Sequence, residues 1–271
     1  MTMESMRLSR LLPPLLALAT LAAPAADRYP VPATPQDLAA PAKEAVTTPS
    51  GLATLVLRHG KGEQHPAGDD LVTVEYTIWT PDGSVLDSTA KKPGAWIRPL
   101  GLFMPGMKEG LKLMTPGAKL RMWMPRSLAF PQAPDSLILD AELVAIAPSP
   151  FLAPPDVAGP GDGASLLPSG LAFKVLRPGT GTATPGKDER VAVHYTGWTT
   201  DGKMFDSSWT KGRPVSFDLD EVIKGWTQGL QLMKVGQKNR FWVPQKLAYQ
   251  GEAGKPAGML VFDVELLAIG K

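Results

Sequence analysis

The feature that most constrains this chain is an internal repeat. The run Pro49–Ala53 recurs as Pro168–Ala172, and Tyr76 recurs as Tyr195, both at an offset of 119 residues. Late in the repeat the offset rises to 123, which places four additional residues in one loop of the second copy. Because only two copies occur, the repeat predicts tandem globular domains and not a solenoid.

Composition excludes several classes of function. The chain has no cysteine, so disulfides, thiolate metal sites and a cysteine nucleophile are excluded. Its three histidines, His59, His65 and His194, have no partner at metal-ligand spacing, so no metal site is predicted. A net charge of +2 without basic runs does not indicate nucleic-acid binding, and 44% hydrophobic residues allow a packed core.

The N-terminus has the pattern of an export signal. Arg7 and Arg10 precede the apolar stretch 11–23, and small residues follow around Ala25. This order predicts a secretory signal peptide over residues 1–25, and an uncleaved anchor is the alternative. Either interpretation predicts an exported protein, periplasmic or extracellular. If the signal is removed, no membrane attachment is predicted.

In each copy, apolar and polar residues alternate as in the strands of a half-buried sheet, and one segment has helical periodicity. The helix is predicted over Glu221–Met233, where Val222, Trp226, Leu230 and Met233 share one face. The strands of the second copy are predicted at Leu171–Arg177, Arg190–Gly197, Val215–Phe217, Gln237–Val243 and Met259–Ile269. A single short helix against an antiparallel sheet is an α+β domain.

Three segments of the second copy together carry a family resemblance. The stretch Val191–Asp206, the helix start Glu221–Trp226 and the last strand Val261–Leu267 resemble the FKBP-type peptidyl-prolyl cis-trans isomerases, in a tandem exported bacterial form. The resemblance implies two FKBP-like domains, each a curved five-stranded antiparallel sheet around one short helix. The predicted organisation is a signal peptide (1–25), a Pro-rich linker (26–45), a degenerate domain (46–147), a Pro/Gly-rich linker (148–166) and an isomerase domain (167–271).

The implied chemistry, rotation about an X–Pro bond, needs neither a metal nor a cofactor. The barrier is roughly 18–20 kcal/mol, and the twisted amide is less polar than the planar one because resonance is lost. An apolar, water-poor pocket therefore favours the twisted state, and a hydrogen-bond donor can hold the substrate.

The resemblance assigns such a pocket to the second copy. It implies that Trp226 forms the floor beneath the proline ring, that Tyr249 offers its phenol to a substrate carbonyl, and that Ile223 donates its backbone N–H. The walls are implied to be Tyr195, Phe205, Asp206 and Phe262, with Val222 and Ile223 as flanks and Val215 where the family commonly has an aromatic residue.

Structural interpretations of these residues remain open. Trp226 can be ordinary core, Asp206 can cap the turn at Ser207-Ser208, and Tyr249 can be an exposed ring at a strand end. His194 is out of phase with the apolar positions and is interpreted as a strand residue without a catalytic role.

The first copy serves as an internal control. It keeps Tyr76 and Asp87, and Trp96 stands at the Val215 position, but the other aromatic positions carry Leu86, Met107, Phe130 and Leu139. The sequence therefore predicts that residues 46–147 fold alone and catalyse poorly.

The predicted function is an isomerase, or rotamase, that assists protein folding outside the cytoplasm and acts on proline-containing unfolded or partly folded polypeptides. The resemblance also implies macrolide ligands. The alternatives are a chaperone-like polypeptide-binding module with incidental isomerase activity and a purely structural protein.

Overall fold

A computed structural model describes residues 32–91 and 95–270. The predicted signal peptide lies outside the described residues. Within the described part of the chain, no helix is long and apolar enough to cross a membrane.

The first copy forms one antiparallel sheet and one helix. Its helix α1 spans Pro105–Lys112. The strands are β1 (Val46–Thr47), β2 (Ala53–Arg58), β3 (Leu71–Trp79), β4 (Val85–Ser88), β5 (Trp96–Pro99), β6 (Lys119–Pro125) and β7 (Ser136–Ala147).

The second copy repeats this order. Its helix α2 spans Lys224–Leu230. The strands are β8 (Ser165–Leu166), β9 (Ala172–Arg177), β10 (Arg190–Thr199), β11 (Met204–Ser207), β12 (Val215–Asp218), β13 (Lys238–Val243) and β14 (Leu260–Gly270).

The strand pairing confirms the predicted FKBP-like α+β fold. The first sheet runs β1-β2-β6-β7-β3-β4, and the second runs β11-β10-β14-β13-β9-β8. Strands β4 and β5 pair with opposite ends of β3, so they share one edge, as β11 and β12 share the edge beside β10. Each sheet thus has five strand positions, extended by a two-residue strand.

The predicted helix over Glu221–Met233 is wrong at both ends. The helix begins after Ile223, whose ψ of 143° is extended, and it ends at Leu230. Val222 therefore precedes the helix, while Met233 follows it and is still fully buried. Apolar periodicity continues past the helix because the flanking segments face the same core.

The C-terminal part of each predicted linker packs against the face of a sheet that is opposite the helix. We call residues 35–45 the first strap and residues 154–164 the second strap. Leu38 of the first strap is buried against Trp79, Trp123 and Ile138. Val157 of the second strap packs against Ala172, Trp242 and Val261.

The same polar clamp holds both straps. Asp156 pairs with Arg240, which also binds Asp263 through two hydrogen bonds of 2.6 and 2.9 Å. In the first copy Asp37 pairs with Arg121, which binds Asp140 at 2.7 and 2.9 Å.

An indole hydrogen bond completes each clamp. The Trp242 indole donates to the Asp156 carbonyl at 2.9 Å, and Trp123 donates to the Asp37 carbonyl at the same distance. The composition of these segments indicates spacers, but the clamps make the straps parts of the two domains.

Candidate functional site

Five aromatic rings of the second copy meet edge to face on the helix side of the sheet. Trp226 is at the centre of this ring cluster, with ring centroids 5.0 Å from Tyr195, 5.5 Å from Phe217 and 5.4 Å from Phe262. Phe205 contacts Phe262 at 5.6 Å. The geometry brings together four of the predicted pocket residues: Tyr195, Phe205, Trp226 and Phe262.

Different elements deliver these rings to one place. Val191, Val193 and Tyr195 of β10 alternate toward the core, and Tyr195 pairs with Val264 across β14. Trp226 comes from the first turn of α2. Tyr195, Trp226 and Phe262 are buried, whereas Phe205 and Phe217 are half-buried, so the cluster reaches the surface on one side.

Gly197 on β10 allows Phe205 and Phe262 to meet. A Cβ at this position would lie 2.7 Å from Phe205 and 2.8 Å from Phe262, closer than any side chain tolerates. The equivalent residue of the first copy is Ile78. Gly197 was not among the predicted site residues, but the replacement of glycine by isoleucine between the copies was a signal that could have found it.

The Tyr195 hydroxyl donates a 2.6 Å hydrogen bond to the Asp206 carboxylate. Burial, this hydrogen bond and the charge of Asp206 together raise the pKa of Tyr195, so the phenol stays protonated. The Ser207 side chain accepts from the Trp209 N–H and caps this turn, while Asp206 accepts from the Tyr195 hydroxyl.

Two hydrogen-bond donors next to the ring cluster have no acceptor within the described part of the chain. The Trp226 indole Nε1 is buried and unpaired. The backbone N–H of Ile223 precedes the helix and makes no hydrogen bond, whereas the Ile223 carbonyl accepts from Trp226 and Thr227. Ile223 thus presents the backbone donor that the resemblance implies.

The remaining predicted residues flank the cluster. Val215, Val222, Ile223 and Tyr249 are half-buried and pack against the same core. The Lys255 ammonium lies 5.4 Å from the Tyr249 ring centroid. Burial, followed by the charge of Asp206, raises the pKa of Tyr249, so this phenol stays protonated.

Phe217 is a ring that the sequence interpretation missed. Val215 was expected to leave the edge of the pocket without an aromatic residue, yet Phe217, two residues later in β12, contacts both Tyr195 and Trp226. Residues i and i+2 of a strand face the same side, so this alternation was the available signal.

The family model for FKBP-type peptidyl-prolyl cis-trans isomerases matches residues 62–144 and again residues 181–267. The chain belongs to this family. Both matched segments fall on the two sheets, so both copies are FKBP domains by sequence as well as by fold.

The curated relatives each match about two fifths of this chain. The chain is 52% identical over 113 residues to the FKBP-type peptidyl-prolyl cis-trans isomerase FkpA of Aeromonas hydrophila, which covers 41% of this chain and 42% of the relative. It is 47% identical over 107 residues to the macrophage infectivity potentiator of Trypanosoma cruzi, covering 38% and 55%. The crystal structure of FkpA from Escherichia coli matches at 44% identity with a TM-score of 0.38, covering 40% and 52%. The chain therefore spans about half the length of the curated relatives it matches.

The first FKBP domain keeps some residues equivalent to those of the ring cluster and replaces the others. The Tyr76 hydroxyl donates to Asp87 at 2.6 Å, as in the second domain. Trp96 lies between Tyr76 and Phe103, at centroid distances of 5.2 and 5.3 Å. Met107 stands in the place of Trp226, so this domain has no ring at the centre of the cluster.

His194 lies outside the ring cluster, in another part of the second domain. Its ring stacks on Trp209 at 3.6 Å, and Nδ1 lies 2.9 Å from the Ser208 hydroxyl. Burial lowers the pKa of His194 to about 4. The ring is therefore neutral at physiological pH and makes no contact with the ring cluster.

Proposed function

We propose that this chain is a peptidyl-prolyl cis-trans isomerase and that its reaction takes place at the ring cluster of the second FKBP domain. The observation that carries the proposal is the convergence of five rings around Trp226, four of which the first domain lacks. A water-poor aromatic surface favours the less polar, twisted imide, and each factor of ten in rate requires about 1.4 kcal/mol of such preference.

Some residues of the site contact the proline ring through apolar surfaces, and others donate hydrogen bonds to the substrate. The proline ring rests on Trp226, between Phe205 and Phe262. The Ile223 N–H and the Tyr249 hydroxyl donate to substrate carbonyls outside the twisting bond, and the Tyr195–Asp206 pair fixes the wall. The same surface would accept macrolide ligands, so rapamycin is expected to compete with substrate.

Trp226 and Met107 provide a matched test because they occupy equivalent positions, 4% and 1% exposed. The full-length chain is compared with the W226L and M107L variants in a proline-limited refolding assay. We expect W226L to lose at least about tenfold in rate, or about 1.4 kcal/mol, and M107L to stay within about twofold.

The proposal fails if folded W226L keeps the full rate, or if the two variants lose activity equally. Circular dichroism and urea unfolding show whether each variant is folded, since truncating a buried ring also costs stability.

We further propose that the substrates are proline-containing polypeptides that are unfolded or partly folded outside the cytoplasm. The support is the N-terminal order of Arg7, Arg10 and an apolar stretch before small residues. Expression of the full-length chain in a Gram-negative host, with fractionation and N-terminal sequencing, tests this. A mature protein that begins at Met1 in the cytoplasmic fraction would refute export.

A chaperone-like binding function is the second candidate, favoured by the aromatic pair Trp96 and Phe103, which the first domain carries where the second has Val215 and Val222. It is separated from isomerisation with a proline-free client. Suppression of the client's aggregation by a Y249F/W226L double variant would show that binding does not need the isomerase site, whereas suppression by the wild type alone would show that the client binds at that site.

A further inference from the structure

The first FKBP domain carries an arginine where the second has a ring. Arg98 occupies the position of Phe217, at the same offset of 119 residues. Its guanidinium lies 4.4 Å from the Trp96 ring centroid and 5.6 Å from that of Phe103. The position that helps to build the ring cluster in one domain therefore places a cation between two rings in the other.

This guanidinium lacks an anionic partner. Arg98 makes no ion pair within the described residues, and its Nε is buried without a hydrogen-bond acceptor. The neighbouring Asp87 is held by the Tyr76 hydroxyl and the Ser88 N–H. Asp69, another acidic residue of this edge, lies against Gly101. Half-burying a cation is unfavourable, and the contacts with the Trp96 and Phe103 rings offset part of that cost, but no carboxylate among the described residues pairs with the guanidinium.

A turn of the second domain lies against Arg98 and adds positive charge. Gly212 has φ of +61°, and a Cβ there would lie 2.7 Å from Arg98 Nη2 and 3.3 Å from Leu102. Glycine thus permits a close approach of the two domains at this point. The residues on either side of it, Lys211 and Arg213, are exposed and make no ion pair within the described part of the chain.

The stacked guanidinium still has donors to offer. Stacking engages the face of the guanidinium, so the N–H groups of its two terminal nitrogens can still donate at the edge as a fork that matches a carboxylate, whereas Nε is buried. Trp96 beside it is half-buried and presents apolar area, whereas Phe103 is buried. The arrangement fits an anion that is attached to an apolar neighbour, as in a polypeptide segment.

We propose that the first FKBP domain binds a polypeptide carboxylate at Arg98, with the adjoining apolar side chain of that polypeptide on Trp96. Lys211 and Arg213 strengthen the attraction from the second domain. The carboxylate can come from an acidic side chain or from a chain end. This site is separate from the ring cluster and does not depend on isomerase activity.

Short proline-free peptides test the proposal without involving the isomerase site. Fluorescence anisotropy of the full-length chain is measured with a labelled, amidated peptide containing Glu-Phe, with its Gln-Phe analogue, and with a Glu-free peptide ending in a free Phe carboxylate. We expect the Glu peptide, the free-carboxylate peptide, or both to bind at least about tenfold more tightly than the Gln analogue, and this preference to shrink with added salt. The comparison of the two carboxylate peptides identifies the source of the anion.

Variants locate the site. R98Q should remove the preference, the K211Q/R213Q double variant should weaken it about threefold, and R126Q, at an exposed arginine of the same domain, should leave it unchanged. Equal binding of all three peptides to the wild type, or an undiminished preference in folded R98Q, overturns the proposal. If R98Q does not fold, R98K replaces it. R98K keeps the charge but loses the fork, so undiminished binding of the carboxylate peptides by folded R98K would also overturn the proposal.

Discussion

The Tyr195 hydroxyl lies 2.6 Å from the Asp206 carboxylate, and Tyr76 and Asp87 repeat this distance in the first FKBP domain. Since both domains keep the pair, the pair alone does not distinguish an isomerase site from its degenerate copy. The pair orients the tyrosine ring on one wall of each pocket, and the rings that pack against this tyrosine differ between the domains.

Removing the acceptor in this pair should weaken catalysis through misplacement of Tyr195. In D206L the buried hydroxyl is left unpaired at a cost of about 1–3 kcal/mol, and we expect roughly a tenfold loss of isomerase rate. D206N keeps an acceptor and should lose less than D206L. The D87L variant of the first domain is the control and should leave the rate unchanged. A D206L rate equal to the wild-type rate would show that the pair has no role in turnover.

The difference between Gly197 and Ile78 yields a second prediction. In G197I the added side chain displaces Phe205 and Phe262, whose rings lie within 3 Å of the Cβ position, so we expect a large loss of isomerase activity. The reciprocal I78G variant creates space in the first domain and should leave the rate near wild type. Activity and near-UV circular dichroism check both variants. Full activity in folded G197I would contradict a role for ring contact at this point.

The straps should contribute to stability through their clamps. Arg240 is 11% exposed and Asp156 23% exposed, so D156A removes a largely buried partner of the guanidinium. We expect the free energy of unfolding to fall by about 2 kcal/mol, as for hydrogen bonds to charged groups. D37A should have a similar effect on the first domain. Urea unfolding measures both, and D135A, at a fully exposed aspartate, is the control.

The buried His194 should make the folding stability of the protein depend on pH. Its folded pKa of about 4 lies below its ordinary value of about 6.5, because the buried imidazole resists protonation. Between these values the unfolded chain binds the proton and the folded chain does not, so stability is full above pH 6.5 and falls as the pH drops toward 4.

The H194Q variant isolates this contribution. We expect it to lose less stability than the wild type between pH 7 and pH 4.5, while H59Q, at an exposed histidine, should lose as much as the wild type. Urea unfolding at the two pH values provides the comparison. An identical loss in H194Q and the wild type would show that His194 titrates normally in the folded state.

Strand alternation and the repeat predict most of the fold. Val191, Val193 and Tyr195 alternate clearly because one face of β10 is buried and the other is not. The helix was predicted too long because the core continues past both of its ends, and apolar periodicity cannot separate a helix from the buried segments that flank it.

The sequence did not predict that the straps pack on the sheets, because their proline content suggested spacers. The informative signal was again the repeat. Pro35, Asp37, Ala39 and Pro41 recur as Pro154, Asp156, Ala158 and Pro160 at the same offset of 119 residues, upstream of the repeat boundary that was drawn. The contact between Gly212 and Arg98 had no such signal, since it joins non-equivalent parts of the two copies.

The Trp198 indole donates to the Phe151 carbonyl at 3.1 Å, while β7 ends at Ala147. Only residues 148–150 lie between these anchored points, and the four residue steps from Ala147 to Phe151 span at most about 14 Å. While the Phe151 carbonyl accepts from Trp198, this short tether limits how far the two domains can separate in solution. A polypeptide released from the carboxylate site proposed at Arg98 would therefore remain near the ring cluster, and its next proline would arrive without a new diffusional search.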